Sequence, residues 1–279
     1  MKIKMESYTN GNLIKDCLEI FRQTGGNIVD IPDIGETQIY EEPIIGFASA
    51  SDRIFETFRH KEVIGANYLS PNEWLPEAKS VVAFFLPFSE AVRKSNKADK
   101  TDPSKEWLYA RIEGQEFISK FTAAIRQFLD DKGISACVPA LDERFDVKIE
   151  TKLTALKPDF HADSKWSERH AAYACGLGTF GLSKGLITEK GMAGRFASII
   201  VSAVFGPTVR NYTEIYDYCI KCGVCAKNCP AKAISLKHGK NNLKCHLHVQ
   251  AMKKKYSPRY GCGKCQVGVP CEFRKPGKN

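Results

Sequence analysis

Apolar residues recur at helical spacing over residues 9–24, and Gly25-Gly26 end that run. A longer helical pattern covers 107–131, with Ile118, Phe121, Ile125, Phe128 and Leu129 on one side and Gly133 as its cap. Ser80-Val-Val-Ala-Phe-Phe-Leu-Pro-Phe88 is apolar almost without interruption, which fits a central strand covered on both faces. Further strands are predicted at Ile44–Ala48, Ala136–Pro139, Gly185–Thr188 and Phe196–Val204, the last two joined by the Gly-rich turn 189–194. Residues 51–61 and 166–175 read as helices, the second ending at Gly176. Residues 27–47 read as irregular, leading into the Ile44–Ala48 strand, Asn72–Ala78 as a polar turn, and 140–165 as a long segment of weak periodicity. The charged stretch 91–105, with Lys94, Lys97, Lys100 and Lys105, reads as an exposed loop or lid. Pro207 to Tyr218 reads as a boundary. The mixed, irregular order predicts an α+β body with a mainly antiparallel sheet over 1–210, followed by a small module over 211–279.

The chain has 279 residues, 43% of them hydrophobic and 10% aromatic, enough to bury a core and to exclude global disorder. No apolar run approaches the ~18 residues of a membrane-spanning helix. Met1-Lys-Ile-Lys-Met-Glu has neither an apolar signal core nor a twin-arginine pair, so a cytoplasmic location is expected. The net charge of +9 is uneven: residues 230–279 carry +11 and the rest −2. The 11 cysteines are uneven too, since eight of them lie within the 53 residues from Cys219 to Cys271. Cys17, Cys137 and Cys175 are scattered and read as small buried hydrophobes. With no secretory context, dense cysteine points to metal rather than to a disulfide scaffold.

The segment Cys219-Ile-Lys-Cys222-Gly-Val-Cys225-Ala-Lys-Asn-Cys229-Pro230 is the C-x2-C-x2-C-x3-C-P run of bacterial ferredoxins. Three thiolates two residues apart wrap one corner of a cubane, and three more residues carry the fourth towards a second cluster. A zinc site needs four ligands, usually from two separated C-x2-C pairs, and the triple does not fit that. Ferredoxin logic crosses the ligands. Cys219, Cys222, Cys225 and Cys271 serve one [4Fe-4S] cluster, and Cys229, Cys245, Cys262 and Cys265 serve a second. The spacing from Cys265 to Cys271 departs from the usual pattern, with five residues between them and no proline after Cys271. The Lys-rich tail would offset the clusters' negative charge. It also suits docking of an acidic electron donor such as a ferredoxin or flavodoxin, and nucleic-acid phosphate is a third reading.

Gly176-Leu-Gly178-Thr-Phe-Gly181 matches G-x-G-x-x-G, but it follows a helical segment and leads towards a strand. That reverses the order a dinucleotide site needs. These glycines are read instead as cofactor-binding positions, where backbone approaches a flat cofactor or packs against a cluster.

The block Ser167-Glu-Arg-His-Ala-Ala-Tyr-Ala-Cys-Gly-Leu-Gly-Thr-Phe-Gly-Leu-Ser-Lys-Gly-Leu-Ile-Thr188 resembles one in epoxyqueuosine reductases, and reductive dehalogenases have a related block. Trp74-Leu-Pro-Glu-Ala-Lys-Ser-Val-Val-Ala-Phe-Phe-Leu-Pro87 and Tyr260-Gly-Cys262-Gly-Lys-Cys265-Gln266 resemble two more blocks of that family, in the same order, so the likeness spans residues 40–275. It implies a nitroreductase-like body that binds cobalamin beside a ferredoxin-like module. Electrons would pass through two [4Fe-4S] clusters to the cobalt, which reduces a substrate. It also implies Asp163 as proton donor, five residues before Glu168 where the family spacing is six. The alternative for Asp163 is a helix N-cap, with His161 next in line as the acid. His161 and His170 otherwise read as surface or packed histidines, Arg195 as solvated or facing a cofactor carboxamide or phosphate, and Tyr109 and Tyr173 as packing residues. The tRNA-processing members continue past the clusters with a helical-repeat domain, and the dehalogenases carry a twin-arginine signal. The chain is therefore expected to be a short relative whose substrate need not be tRNA or an organohalide. The competing reading is an electron-transfer protein with flavin, or no second cofactor, that relays electrons to a partner.

Overall fold

The structure, a computed structural model, describes residues 8–152 and 159–277, and the side chains of Lys152, Asp159 and His161 also lie outside the described residues. Part of the weakly periodic 140–165 segment and the candidate acid His161 are affected.

The strands are β1 (Ile28–Ile31), β2 (Gly35–Gln38), β3 (Ile44–Ser49), β4 (Ser80–Pro87), β5 (Ala136–Cys137), β6 (Val147–Lys152), β7 (Asp159–Ser164), β8 (Gly178–Phe180), β9 (Leu186–Thr188), β10 (Gly194–Val201), β11 (Ile234–Ser235) and β12 (Gly239–Lys240). The helices are α1 (Asn10–Gln23), α2 (Ile54–Thr57), α3 (Pro71–Trp74), α4 (Glu90–Ala98), α5 (Lys105–Asp131), α6 (Glu168–Ala174), α7 (Val224–Lys227) and α8 (Asn242–Tyr256).

An antiparallel sheet of order β3-β4-β10-β5 organises the α+β body. All eight positions of β4 are buried, because apolar layers cover both faces. One layer packs Phe21 of α1 and Phe117, Phe121 and Ile125 of α5 against Val82, Phe84 and Leu86. The other packs Phe55, Tyr68, Trp74, Trp166 and the α6 alanines against Val81, Ala83 and Phe85. Continuous apolar sequence and two-sided burial are the same fact seen twice.

Several expectations are corrected. Residues 90–98 form helix α4 rather than a loop: Ser89 Oγ accepts from the Val92 amide (3.3 Å), and the helix buries Val92 and Asn96. Residues 28–38 form the β1-β2 hairpin, turned by Asp33 (φ 66°) and Gly35 (φ 91°). Residues 147–164 contain the β6-β7 hairpin. Helix α2 covers only four of residues 51–61. Among the described residues, no helix is long and apolar enough to cross a membrane.

Candidate functional site

The segment from 211 onward contains little regular structure, so turns rather than a sheet position its cysteines. Lys221 (φ 51°) and Gly223 (φ 75°) reverse the chain between Cys219 and Cys225, and α7 starts directly after Gly223. Cys219, Cys222, Cys225 and Cys271 line one pocket, closed from the body by Gly181, Ile187 and Met192. Burial pushes the Cys271 thiol up to about 12, and Cys225, Cys219 and Cys222 add to the shift. Cys271 is held by the body: Met192 N–H donates to its carbonyl (2.9 Å), and its thiol lies 3.4 Å from the Met192 sulfur.

The other four cysteines form a second set. Burial leads in raising Cys262 to about 12, with Cys265 and Cys245 adding to it, and Cys265 in turn feels Cys245 and Cys229. Cys245 comes from α8. Cys262 and Cys265 come from a loop laid on Trp107, whose ring would meet a Cβ on Gly263 at 2.0 Å. Lys264, only 3% exposed, latches that loop down. Its ammonium donates to the carbonyls of Asn96 (2.7 Å) and Asp99 (2.9 Å), while the Asn96 amide donates to the Cys262 carbonyl (3.0 Å). The two sets abut, since Cys265 is the largest charged influence on Cys225. Among the described residues, no three or more His, Cys, Asp or Glu side chains gather closely enough to hold one metal ion.

Beside the second set is a cleft of about 510 Å³, lined by Arg111, Ile112, Gln115, Glu116, Ser119, Lys120 and Tyr260. Arg111 donates to the Tyr260 hydroxyl (2.9 Å) and stacks over its ring. Arg195 is half-buried and donates to Gln115 Oε1 (2.5 Å), so its solvated reading is corrected. Desolvation, then Arg111 and Arg169, bring its pKa down to about 10. Arg169 is exposed at the start of α6 and donates to the Lys184 carbonyl (2.8 Å), and desolvation leads in lowering its pKa. Cys265 and Cys245 act on Arg169 in the opposite sense.

Asp163 sits in β7, buried, with Oδ2 accepting from the Asn67 amide and Oδ1 buried without a partner. A Cβ on Gly65 would lie 2.8 Å from that Oδ1. The N-cap of α6 is Ser167, so the capping reading of Asp163 is corrected. Gly176, Gly178 and Gly181 follow α6 into the β8-β9 hairpin, the reversed order read from the sequence. The chain itself fills the space beside them: a Cβ would meet Thr208 (2.9 Å) at Gly176 and the Ile187 carbonyl (1.9 Å) at Gly178. Only Gly181 reaches the first cysteine pocket. His170 is packed between Phe58 and Phe180, and burial holds it neutral with a pKa of about 3. Tyr109 lies under Arg259, and Tyr173 stacks on Tyr212. Of the arginines only Arg195 was singled out from sequence; the Lys264 latch, Arg111, Arg169 and the carboxyl of Glu168 were not, because each depends on residues distant along the chain. For the latch, a lysine between two ligating cysteines is the one local clue.

The 4Fe-4S binding domain family matches residues 212–235, which defines an iron–sulfur protein. Among curated proteins, none matches the chain. As a whole, the chain has the fold of the epoxyqueuosine reductases and reductive dehalogenases. An epoxyqueuosine reductase from Bacillus subtilis, solved with its catalytic loop swung out of the active site, is 17% identical over 96% of this chain and 67% of its own, with a TM-score of 0.52. An epoxyqueuosine reductase bound to an epoxyqueuosine-modified tyrosine tRNA stem loop is 18% identical over 96% and 67%, with a TM-score of 0.53. A reductive dehalogenase whose structure suggests a mechanism for B12-dependent dehalogenation is 14% identical over 95% and 37%, with a TM-score of 0.51.

Proposed function

We propose that this chain is an iron–sulfur oxidoreductase in which a ferredoxin-like module, residues 211–279, supplies electrons to a cobalamin held against a nitroreductase-like body, residues 1–210. The observation that carries this reading is the gathering of eight cysteines into two abutting sets of four, the second beside a polar cleft. Four thiols in each set fit one [4Fe-4S] cluster apiece, and binding requires them to release their protons. The guanidinium, amide and hydroxyl groups of Arg111, Arg195, Gln115, Ser119 and Tyr260 fit a cofactor rich in amides and phosphate, and they would hold cobalamin there. When bound, cobalamin supplies low-valent cobalt as the reductant.

The chain's own residues divide the remaining work. Cys222 is exposed beside Ile220 and Lys221, which supports electron entry at that edge. Leu236, 63% exposed, packs near Gly223 and extends the same edge. An apolar edge beside Lys221, on a segment rich in lysine, suits an acidic donor such as a ferredoxin or flavodoxin. Asp163, on β7, is the group that would deliver a proton to the substrate.

The test is anaerobic cluster reconstitution followed by incubation with cobalamin and gel filtration. Retained corrin absorption, with the clusters reducible by an acidic ferredoxin or flavodoxin, is expected. Flavin absorption, or clusters alone after the incubation, would overturn the cobalamin reading and favour a simple electron carrier.

A further inference from the structure

We infer that Arg111, Arg169 and Arg195 form a binding site for a phosphate group in the cleft beside the second cysteine set. The inference gives the proposed redox site its ligand class, and it rests on that reading only for its functional meaning.

The geometry begins with charge. Arg111 lines the cleft, Arg195 donates to Gln115 of the same wall, and Arg169 is close enough for its charge to act on Arg195. Among the described residues, none of the ion pairs formed involves any of them. Every other interior arginine in this part of the molecule has a carboxylate. Arg259 pairs with Glu113, and Arg93 pairs with Glu41 and Glu272. The three instead spend single donors on neutral acceptors: Arg111 on the Tyr260 hydroxyl, Arg195 on Gln115, and Arg169 on the Lys184 carbonyl (2.8 Å). Each guanidinium has five N–H donors, so among the described residues most of this donor capacity has no protein acceptor.

The thiols Cys265 and Cys245 act on Arg169, while Arg195 and Arg111 hold Gln115 and Tyr260 on the cleft wall. Like charges held together away from bulk water are costly unless an anion joins them. Glu116 is on the cleft wall but is exposed at its mouth, where Lys120 stands beside it. Several planar forks arranged around one point suit the tetrahedral oxygens of phosphate better than a single carboxylate. The phosphate could belong to the corrinoid's nucleotide tail or to the substrate, and the two sources give different results below.

The experiment uses the full chain with its clusters loaded, anaerobically and without turnover. Titration calorimetry with inorganic pyrophosphate should show saturable binding to the wild type. Arg111→Gln and Arg195→Gln should each weaken it by about tenfold to a hundredfold, the usual worth of hydrogen bonds to a charged group. Arg195→Lys should recover part of the loss, and cluster absorption and melting temperature should stay at wild-type values in all three. If the phosphate is the cofactor's, cobalamin binds more tightly than cobinamide, which lacks the nucleotide tail, and pyrophosphate competes with cobalamin. If it is the substrate's, the two corrinoids bind alike and pyrophosphate binds alongside them. No saturable pyrophosphate binding, or affinity unchanged in the Gln variants, overturns the inference. Either failure leaves the electron-transfer reading standing, because cluster reduction is measured separately.

Discussion

Glu168 shows what a single buried carboxyl does to this body. Its Oε2 accepts from the Ser198 hydroxyl (2.6 Å), Ser198 accepts from the Trp166 indole (2.9 Å), and its Oε1 is buried without a partner. Burial raises its pKa to about 8, so the folded state holds a proton that the unfolded chain, with a carboxylic pKa of ~4.3, releases. Its contribution is therefore most favourable below the unfolded value and is lost as pH rises towards 8. Glu168→Gln should flatten this dependence. Between pH 5 and pH 8 the variant should gain on the wild type by on the order of a few kcal/mol in unfolding free energy, measured on cluster-loaded protein. A difference that does not change with pH would rule the proton out. At Asp163 the reading is catalytic: Asp163→Asn should lower turnover by about 10²–10⁴ while iron content stays normal. The cysteine ligand candidates were legible because their spacing is local. The burial of Arg195 was not, because its partner Gln115 comes from α5, 80 residues away in sequence.

At the scale of elements, the strand and helix cores were legible and the thin elements were not. β4 and α5 bury long apolar patterns that only one kind of element satisfies. Helix α4 buries Val92 and Asn96, so its sequence looks like a charged loop until Ser89 is recognised as its cap. The β6-β7 hairpin leaves Val147 and Ile149 exposed, so alternation carries no burial signal there. Yet α4 matters to the site, because Asn96 and Asp99 supply the oxygens that hold Lys264. Lys264→Met leaves those acceptors unfilled, at about 1–3 kcal/mol for buried groups. The expected result is loss of iron from the second set before the first, read as iron per chain and as faster hydrogen exchange over 261–265. Gly263→Ala should be worse, since its Cβ has nowhere to go beside Trp107 and its backbone (φ 68°) disfavours any side chain. Iron retained at wild-type level in both variants would mean that the latch plays no part in holding the ligand loop.

For the whole molecule, the C-terminal segment depends on the body and on metal together. Besides cysteines, its buried apolar residues are few: Tyr218, Ala233, Ile234, Val267 and Val269. Glu272 anchors it, buried between Arg93 and Lys97 and accepting from the Gly268 amide (2.6 Å). Iron removal should therefore expose 215–277 to exchange while the β3-β4-β10-β5 sheet stays protected, whereas an intact tail after complete removal would contradict this. Cys225→Ala should halve the iron from about eight per chain, and Cys17→Ala, buried in the body core, should leave it unchanged. With +11 on residues 230–279, reduction by an acidic donor should slow steeply as ionic strength rises. The asymmetry between the two thiol sets has one more consequence. Cys222 faces solvent, while Cys262 and Cys265 are half-buried on the loop that packs on Trp107 through Gly263 and is latched by Lys264. Oxygen should therefore strip the outer centre first and leave, for a time, a half-bleached protein whose inner centre is intact but can no longer be reduced from outside.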